Sequence, residues 1–236
     1  MKFPDPLIEG RLVKRYKRFL TDVELADGSL VVAHCANPGS MISVNEPGSE
    51  VWLSPARNPE RKLRYTWELV RVGKALVGIN TAHPNGLVEE AIRKGKIAEL
   101  TGYANLLREV RYGKNSRIDI LLEDPDKSPC YVEIKNVTMR RKLGKADPAE
   151  FPDSVTTRGA KHLVELADMV EAGHRAVMVY LVQRPDGPSF TVAGDIDPAY
   201  AKGLSVARAA GVEAIAYGCR VTTKGVDVTK SLPLLL

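Results

Sequence analysis

The sequence predicts an α+β protein: a small β-barrel over residues 1–83, followed by an α/β domain over residues 84–236. Three observations carry this. Short apolar runs rich in β-branched residues recur between turn signals up to His83, as closely spaced strands do. Pro84, Asn85 and Gly86 then break the β pattern. After them, helix-type and strand-type runs follow in the order α-β-β-β-α-β-α-β.

In the first part the strand-like runs are LIEGRLV, FLTDVEL, LVVAHC, EVWLS, TWELVRV and ALVGIN, separated by turns such as ADGS, NPGS and EPGS. Short strands with tight turns favour a small barrel, and a five-stranded OB-type barrel fits the length. In the second part, Leu87, Val88, Ala91 and Ile92 recur at helical spacing. LLREVRYG, SRIDILLED and CYVEIKNVT read as three strands joined by the turns GKN and DPDKSP, short enough for hairpins. A basic loop runs from Met139 to about Pro152. A helix follows with Leu163, Leu166, Ala167 and Val170 as its apolar stripe, Asp153, Ser154 or Thr156 as cap, and Gly173 at its end. RAVMVYLVQR is nearly continuous in apolar residues, as a buried strand is. A third helix (PAYAKGLSVARAAG) and a last strand (VEAIAYGCRVT) complete the order.

Hydrophobic residues make up 44% and charged residues 27% of the chain, an ordinary globular balance that argues against disorder. No apolar run approaches the roughly 18 residues of a membrane span, and the first residues lack the apolar stretch of a signal peptide. The expectation is a cytoplasmic protein with no membrane partner. Cys35, Cys130 and Cys219 stand far apart and none has ligand spacing, so neither zinc nor a disulfide framework is expected.

The formal net charge is +5. Residues 1–83 carry 12 Lys+Arg against 9 Asp+Glu, and the remainder 22 against 20. The excess is clustered in Arg11, Lys14, Arg15, Lys17 and Arg18, in Arg57, Arg61, Lys62 and Arg64, and in the run from Arg140 to Lys145. Tyr16 and Phe19 stand among the first set, and cations with rings suit phosphates and bases. A basic edge strand with core aromatics fits the same pattern.

The strands SRIDILL and CYVEIKNVT bear charge where strands favour neutral residues. Side chains alternate across a strand, so Glu133 and Lys135 share one face. The hairpin brings Asp119 beside Glu133. Two carboxylates, with the Ile134 carbonyl, offer hard oxygen donors to Mg²⁺ or Mn²⁺. Lys135 would orient water or offset developing charge. Asp, thirteen residues, then Glu-Ile-Lys resembles the PD-(D/E)xK nuclease motif, whose fold is commonly α-β-β-β-α-β. Ile118 stands where the motif's proline usually does. A solvent-facing ion pair is the competing reading.

Nucleases of this kind often add a Glu from the first helix. Glu90, beside the apolar stripe, is preferred here over Glu89. On the second helix Arg158, Lys161, His162 and Glu165 form one polar face, facing either the site or solvent. Arg158 and Lys161 are candidates for phosphate contact, and His162 lacks a partner at metal-ligand spacing. Gln183 ends a strand and either marks that end or touches the site. HCANPGSM holds a tight turn that could also present N–H groups to a phosphate.

RYKRFLTDVEL, HCANPGSM, RKLRYTWELV, SRIDILL, CYVEIKNVT, FPDSVTTRGAKHLVEL and the ending KSLPLLL together resemble the sugar fermentation stimulation protein A family, over nearly the whole chain. The resemblance implies an N-terminal OB fold, a C-terminal PD-(D/E)xK nuclease-like domain, DNA binding and a link to regulation of sugar metabolism. It places nuclease-type roles on Asp119, Glu133, Lys135 and Glu90. The family's name reports a phenotype and specifies no reaction. Three functions remain open at this level: a metal-dependent DNA nuclease, a non-catalytic DNA-binding transcriptional regulator on the same scaffold, and an RNA-processing nuclease. The sequence leaves the oligomeric state open, a dimer included.

Overall fold

The computed structural model describes residues 1–113 and 116–236; Lys114 and Asn115 of the expected GKN turn lie outside them. The chain begins with β1 (Ile8–Tyr16), β2 (Leu20–Leu25), β3 (Leu30–Cys35), β4 (Glu50–Pro55), β5 (Tyr65–Val72) and β6 (Ala75–Gly78). These pair in the order β3-β2-β1-β4-β5-β6. A further pairing of β3 with β5, parallel from Ala33–Tyr65 to Cys35–Trp67, closes the first five strands into a barrel. Closure removes the free edges that an open sheet leaves. The barrel interior follows the alternation: Leu12, Val23, Ala33, Cys35, Leu53 and Trp67 point inward and are buried.

Next come α1 (Pro84–Arg93), a 3₁₀ turn at Ala98–Leu100, β7 (Asn105–Tyr112), β8 (Ser116–Asp124), β9 (Lys127–Val137), β10 (Ala149–Phe151) and α2 (Thr157–Glu171). They are followed by β11 (Arg175–Val182), β12 (Phe190–Val192), α3 (Pro198–Ala209), β13 (Glu213–Thr222), β14 (Gly225–Ser231) and β15 (Leu234–Leu235). The large sheet has the order β14-β13-β11-β9-β8-β7. Its centre is parallel (β9-β11-β13) and its flanks are antiparallel. The parallel centre is buried on both faces, which explains the unbroken apolar run of β11. One face packs with α1, and barrel residues Trp52 and Leu69 join that core. The other face packs with α2 and α3.

The fold class is the one the sequence predicts, with additions. β14 extends the large sheet, and β10, β12 and β15 form a small parallel sheet. β10 lies inside the expected loop. α2 is capped by Thr156, whose side chain accepts from the Gly159 N–H at 3.1 Å. It stops before Gly173, whose φ of 86° suits glycine best. Asp153 does different work. It accepts the Met41 N–H at 2.7 Å, and its backbone carbonyl accepts from Ser40. A Cβ on Gly39 would lie 2.6 Å from the Asp153 carboxylate, so the close approach of this barrel loop requires glycine. The Gly78 N–H, donating to the Gln183 carbonyl at 2.9 Å, makes a second tie between barrel and sheet.

Candidate active site

β8 and β9 pair antiparallel, with Ile120 opposite Val132. One step on, the same register sets Asp119 opposite Glu133, and there side chains replace ladder bonds. Asp119 Oδ2 accepts the Ile134 N–H at 2.7 Å. Its Oδ1 accepts from the Asn85 side chain, in the first turn of α1, at 2.8 Å. Glu133 is 2% exposed. Its Oε1 accepts from Lys135 Nζ at 2.8 Å and is in close contact with His162 Nδ1. Arg158 Nε donates to His162 Nε2 at 3.3 Å, so Nδ1 carries the imidazole proton that faces Glu133. Glu133 Oε2 is buried with no hydrogen-bond partner among the described residues.

These groups line a cleft of about 600 Å³. Asn37, Pro38, Gly39 and Arg18 of the barrel form one wall, and Asp153 to Arg158 another. Of the polar face of α2, Arg158 and His162 are turned to the site. His162 and Glu165 are buried, and Lys161 donates to Ser116 Oγ at 3.2 Å. Tyr112 lies close by. Burial first, then the charges of Glu133, Glu165 and Asp119, push its hydroxyl far up.

The two carboxylates differ electrostatically. Burial, then the Glu133 charge, pushes Asp119 up to about 6, against the pull of the Ile134 and Asn85 hydrogen bonds. Burial also acts to raise Glu133, but the His162 hydrogen bond and the Lys135 charge outweigh it and hold that carboxyl below its ordinary value. The set offers carboxylate oxygens, which suit hard divalent cations. Glu133 Oε2, buried and unpartnered, is the oxygen with capacity to spare.

A stability consequence follows. The ordinary value for Asp119 is 3.8, so between there and about 6 the folded chain holds a proton that the unfolded chain has released. The contribution to stability is full below the lower value and is lost as pH rises through the upper one. In chelator, the stability of Asp119→Asn relative to wild type is expected to rise by roughly 2–3 kcal/mol from pH 4 to pH 7.5. Its absolute level also reflects the new amide, whose N–H₂ must face one of two donors, the Ile134 N–H or the Asn85 side chain. Denaturant melts at several pH values test this, and a difference that does not change with pH would contradict the burial penalty.

The structure brings together Asp119, Glu133 and Lys135, with Arg158 and Arg18 lining the same cleft; Lys161 is exposed outside it, on Ser116. It does not bring Glu90 there. Glu90 pairs with Lys94 and, at 2.7 Å, with the amine of Met1, and it lines a separate small cavity beside Asp227 and Val228 of β14. Glu89 pairs with Arg93 and Arg108. The reason is that β14, absent from the sequence reading, covers the flank of α1 that carries Glu90. The residue of α1 that reaches the site is Asn85. Glu109 of β7, at φ 54°, stands opposite Asp119 and lies 3.5 Å from the Asn85 amide. Among the described residues no group of three or more His, Cys, Asp or Glu side chains is gathered as a cation cage. Gln183 does more than end its strand: its amide donates to Asn136 of the cleft at 2.7 Å.

The expected nucleic-acid contacts divide. Arg18 lines the cleft and donates to the Pro38 carbonyl at 3.0 Å. Arg15 is committed to the carbonyls of Asn37 and Gly39, at 2.8 and 2.9 Å, and braces the NPGS loop. Arg11 donates to the Gly48 carbonyl and Lys14 pairs with Asp22, both away from the cleft. Lys17 is exposed in the turn between β1 and β2. Arg61 donates to Thr66 Oγ1, while Lys62 and Arg64 border a groove on the barrel. The third basic cluster is partly structural: Arg140 is buried against Asp186, and Arg141 pairs with Glu150 and Asp195.

An OB barrel joined to a mixed sheet, with Asp and Glu-x-Lys side by side on adjacent strands, defines a PD-(D/E)xK nuclease-like protein. A model of the SfsA N-terminal OB domain matches residues 13–79, and one of the sugar fermentation stimulation protein RE domain matches residues 82–225. The chain belongs to the sugar fermentation stimulation protein (SfsA) family. A sugar fermentation stimulation protein homolog of Rhodospirillum rubrum is 62% identical, over 100% of this chain and 99% of that protein. One from Rhodospirillum centenum is 60% identical over 99% of each. The solved structure of Pyrococcus furiosus SfsA in complex with Ca²⁺ superposes with a TM-score of 0.89 at 27% identity, covering 100% of this chain and 98% of that one.

Among the described residues no helix is long and apolar enough to cross a membrane.

Proposed function

We propose that this protein is a cytoplasmic, divalent-metal-dependent nuclease acting on DNA. In this reading residues 1–83 hold the nucleic acid and residues 84–236 carry the chemistry. The observation that carries it is the pairing of Asp119 and Glu133 across β8 and β9, with Lys135 on Glu133 and Glu133 Oε2 unpartnered, inside a cleft flanked by Arg18 and Arg158. Support for a divalent ion also comes from the Pyrococcus furiosus relative, solved with Ca²⁺.

Asp119 and Glu133 would hold Mg²⁺ or Mn²⁺, which neutralises phosphate charge and acidifies water. The chain's own groups do the rest. Arg18 and Arg158 take phosphate oxygens on either side of the scissile bond. Lys135 Nζ donates to the phosphate as charge develops, or orients the attacking water. His162 keeps Glu133 ionised and fixed in place. Water adds to phosphorus as the opposite P–O bond breaks; the attacking water gives up its proton to solvent, and the leaving sugar oxygen takes one from solvent, leaving a phosphate monoester and a hydroxyl end.

The test is a cleavage assay with Mg²⁺ and Mn²⁺ on labelled single-stranded, duplex, flapped and branched DNA, with RNA alongside. Cutting that needs metal and is lost in both Asp119→Ala and Lys135→Ala is the expected result. Salt-sensitive binding with no cutting on any substrate would leave a DNA-binding regulator instead.

A further inference from the structure

The basic run from Arg140 to Lys145 has no part in the cleft chemistry, yet its loop is held in a fixed shape by its own first residue. Arg140 is 4% exposed. Its guanidinium donates to the Asp147 carbonyl and to Asp186 Oδ2, both at 3.0 Å, and to the Gly144 carbonyl. The Asp147 carboxylate accepts the Gly144 N–H at 2.8 Å. The Arg140 N–H donates to Ser43 Oγ at 3.1 Å, which ties the loop to the barrel. One arginine is thus committed inside. Lys142 and Lys145 are left outside, exposed and with no side-chain partner among the described residues. Across from them, the turn between β5 and β6 presents Lys74, also exposed and also without a partner there.

Turn and loop face each other over a groove of about 570 Å³, which Lys74, Arg140 and Lys145 line with Val72, Ala75 and Pro185. The one carboxylate among its lining residues, Asp186, already faces two guanidinium groups, those of Arg140 and Arg184. The groove shares no lining residue with the cleft and takes none from β2 or β3. The two are neighbours all the same: Thr138 and Met139 line the cleft, and Arg140, next in the chain, lines the groove.

We propose that this groove binds the sugar-phosphate backbone of the nucleic acid on one flank of the phosphodiester that enters the cleft, with Lys74, Lys142 and Lys145 as its phosphate contacts. The inference rests on the nucleic-acid reading above and deepens it: the α/β domain shares with the barrel the work of holding the substrate, and the footprint extends past the cleft. Lysine meets a phosphate as a point charge, and such contacts position the chain without reading sequence. A loop fixed before binding loses little freedom on binding, which favours capture. A protein partner fits less well, because protein interfaces are depleted in lysine and rich in aromatic rings, whereas this groove has lysines and no ring.

The test is binding in chelator, where no cutting occurs, by fluorescence anisotropy over a range of salt. Probes are a labelled DNA duplex long enough to pass both cleft and groove, the matching single strand, and a single-stranded RNA of that length. The triple change Lys74→Ala, Lys142→Ala and Lys145→Ala is expected to weaken binding about tenfold or more at low salt, and to reduce the slope of log affinity against log salt by about 2–3. The control removes the same charge elsewhere. Lys202→Ala, Lys224→Ala and Lys230→Ala, at exposed lysines that line neither surface, should change affinity less than about threefold. The probe with the largest loss names the strand that occupies the groove. Metal-dependent cutting is measured on the same proteins. The groove triple should raise KM and leave kcat unchanged, since its contacts hold substrate and transition state alike. Equal effects of the two triples overturn the groove, because a general field and not a site would then be acting. Absence of wild-type binding to every probe overturns it too. Cutting with no difference between the triples removes the groove and keeps the nuclease. Binding that depends on the groove triple, with no cutting, does the reverse.

Discussion

Glu133→Gln is expected to eliminate metal-dependent cutting, by a factor of about 100 or more, while the protein keeps its fold. The substitution keeps size and shape. Lys135 Nζ fixes the orientation of the new amide, because it donates to the Oε1 position and needs an oxygen there. The amide nitrogen is then forced into the position of Oε2, the buried atom without a partner. An acceptor with lone pairs to offer becomes a donor, and an N–H₂ group repels a cation. Binding of an uncut nucleic acid in chelator should hardly change, since the basic residues remain. The measurement is single-turnover cleavage with a calcium or manganese titration followed by calorimetry. Cutting at near wild-type rate with unchanged metal affinity would remove Glu133 from the site.

The second large effect is on stability. Arg184→Met is expected to cost about 3–5 kcal/mol, lowering the melting temperature by roughly 10 °C in a chain of this size. Arg184 is 1% exposed. It donates to both oxygens of Asp186, at 2.6 and 2.9 Å, and to the Thr138 carbonyl at 2.8 Å. Burial acts to raise the Asp186 carboxyl, but Arg184 and Arg140 outweigh it and hold it below its ordinary value. Methionine fills the channel but leaves a buried carbonyl unpaired and strips the carboxylate of its bidentate partner. Thr138 lines the cleft, so the same change loosens the end of β9 next to Lys135. Urea melts and calorimetry read the effect. A loss below about 1 kcal/mol would show that water replaces the guanidinium without cost.

The parts of this fold that could be read from sequence are those set by alternation and by short-range geometry. The barrel strands show period-two apolar patterning, and β11 shows the continuous run of a strand buried on both faces. Asp119 and Glu133 could be brought together because a hairpin joins their strands, so the distance along the chain fixes the register within narrow limits. Lys135 follows from alternation alone. Glu90 could not be placed, since its direction depends on β14, a strand alternating apolar with polar residues and ending in Thr-Lys-Ser. Asn85 carries no local signal: after Pro84 and before Gly86 it reads as part of a turn, and only the tertiary structure puts its amide on Asp119. The strands β10, β12 and β15 hold three, three and two residues, too few for any periodicity. Burial of His162 was also illegible, because a helix face with Arg, Lys, His and Glu at helical spacing looks the same whether it meets water or a carboxylate.

The Gly39–Asp153 approach and the Gly78–Gln183 bond have a consequence for the order of synthesis. Translation supplies the barrel wall of the cleft long before Asp153 and Gln183, its anchors, have been made. Asp119 and Glu133 lie between. A nascent chain that has exposed all the carboxylates and the lysine still lacks α2, and with it His162 and Arg158. The complete constellation therefore forms only once α2 has followed the β8–β9 hairpin out of the ribosome. In the function proposed above, a chain that has not yet made α2 holds the carboxylates without the groups that orient them.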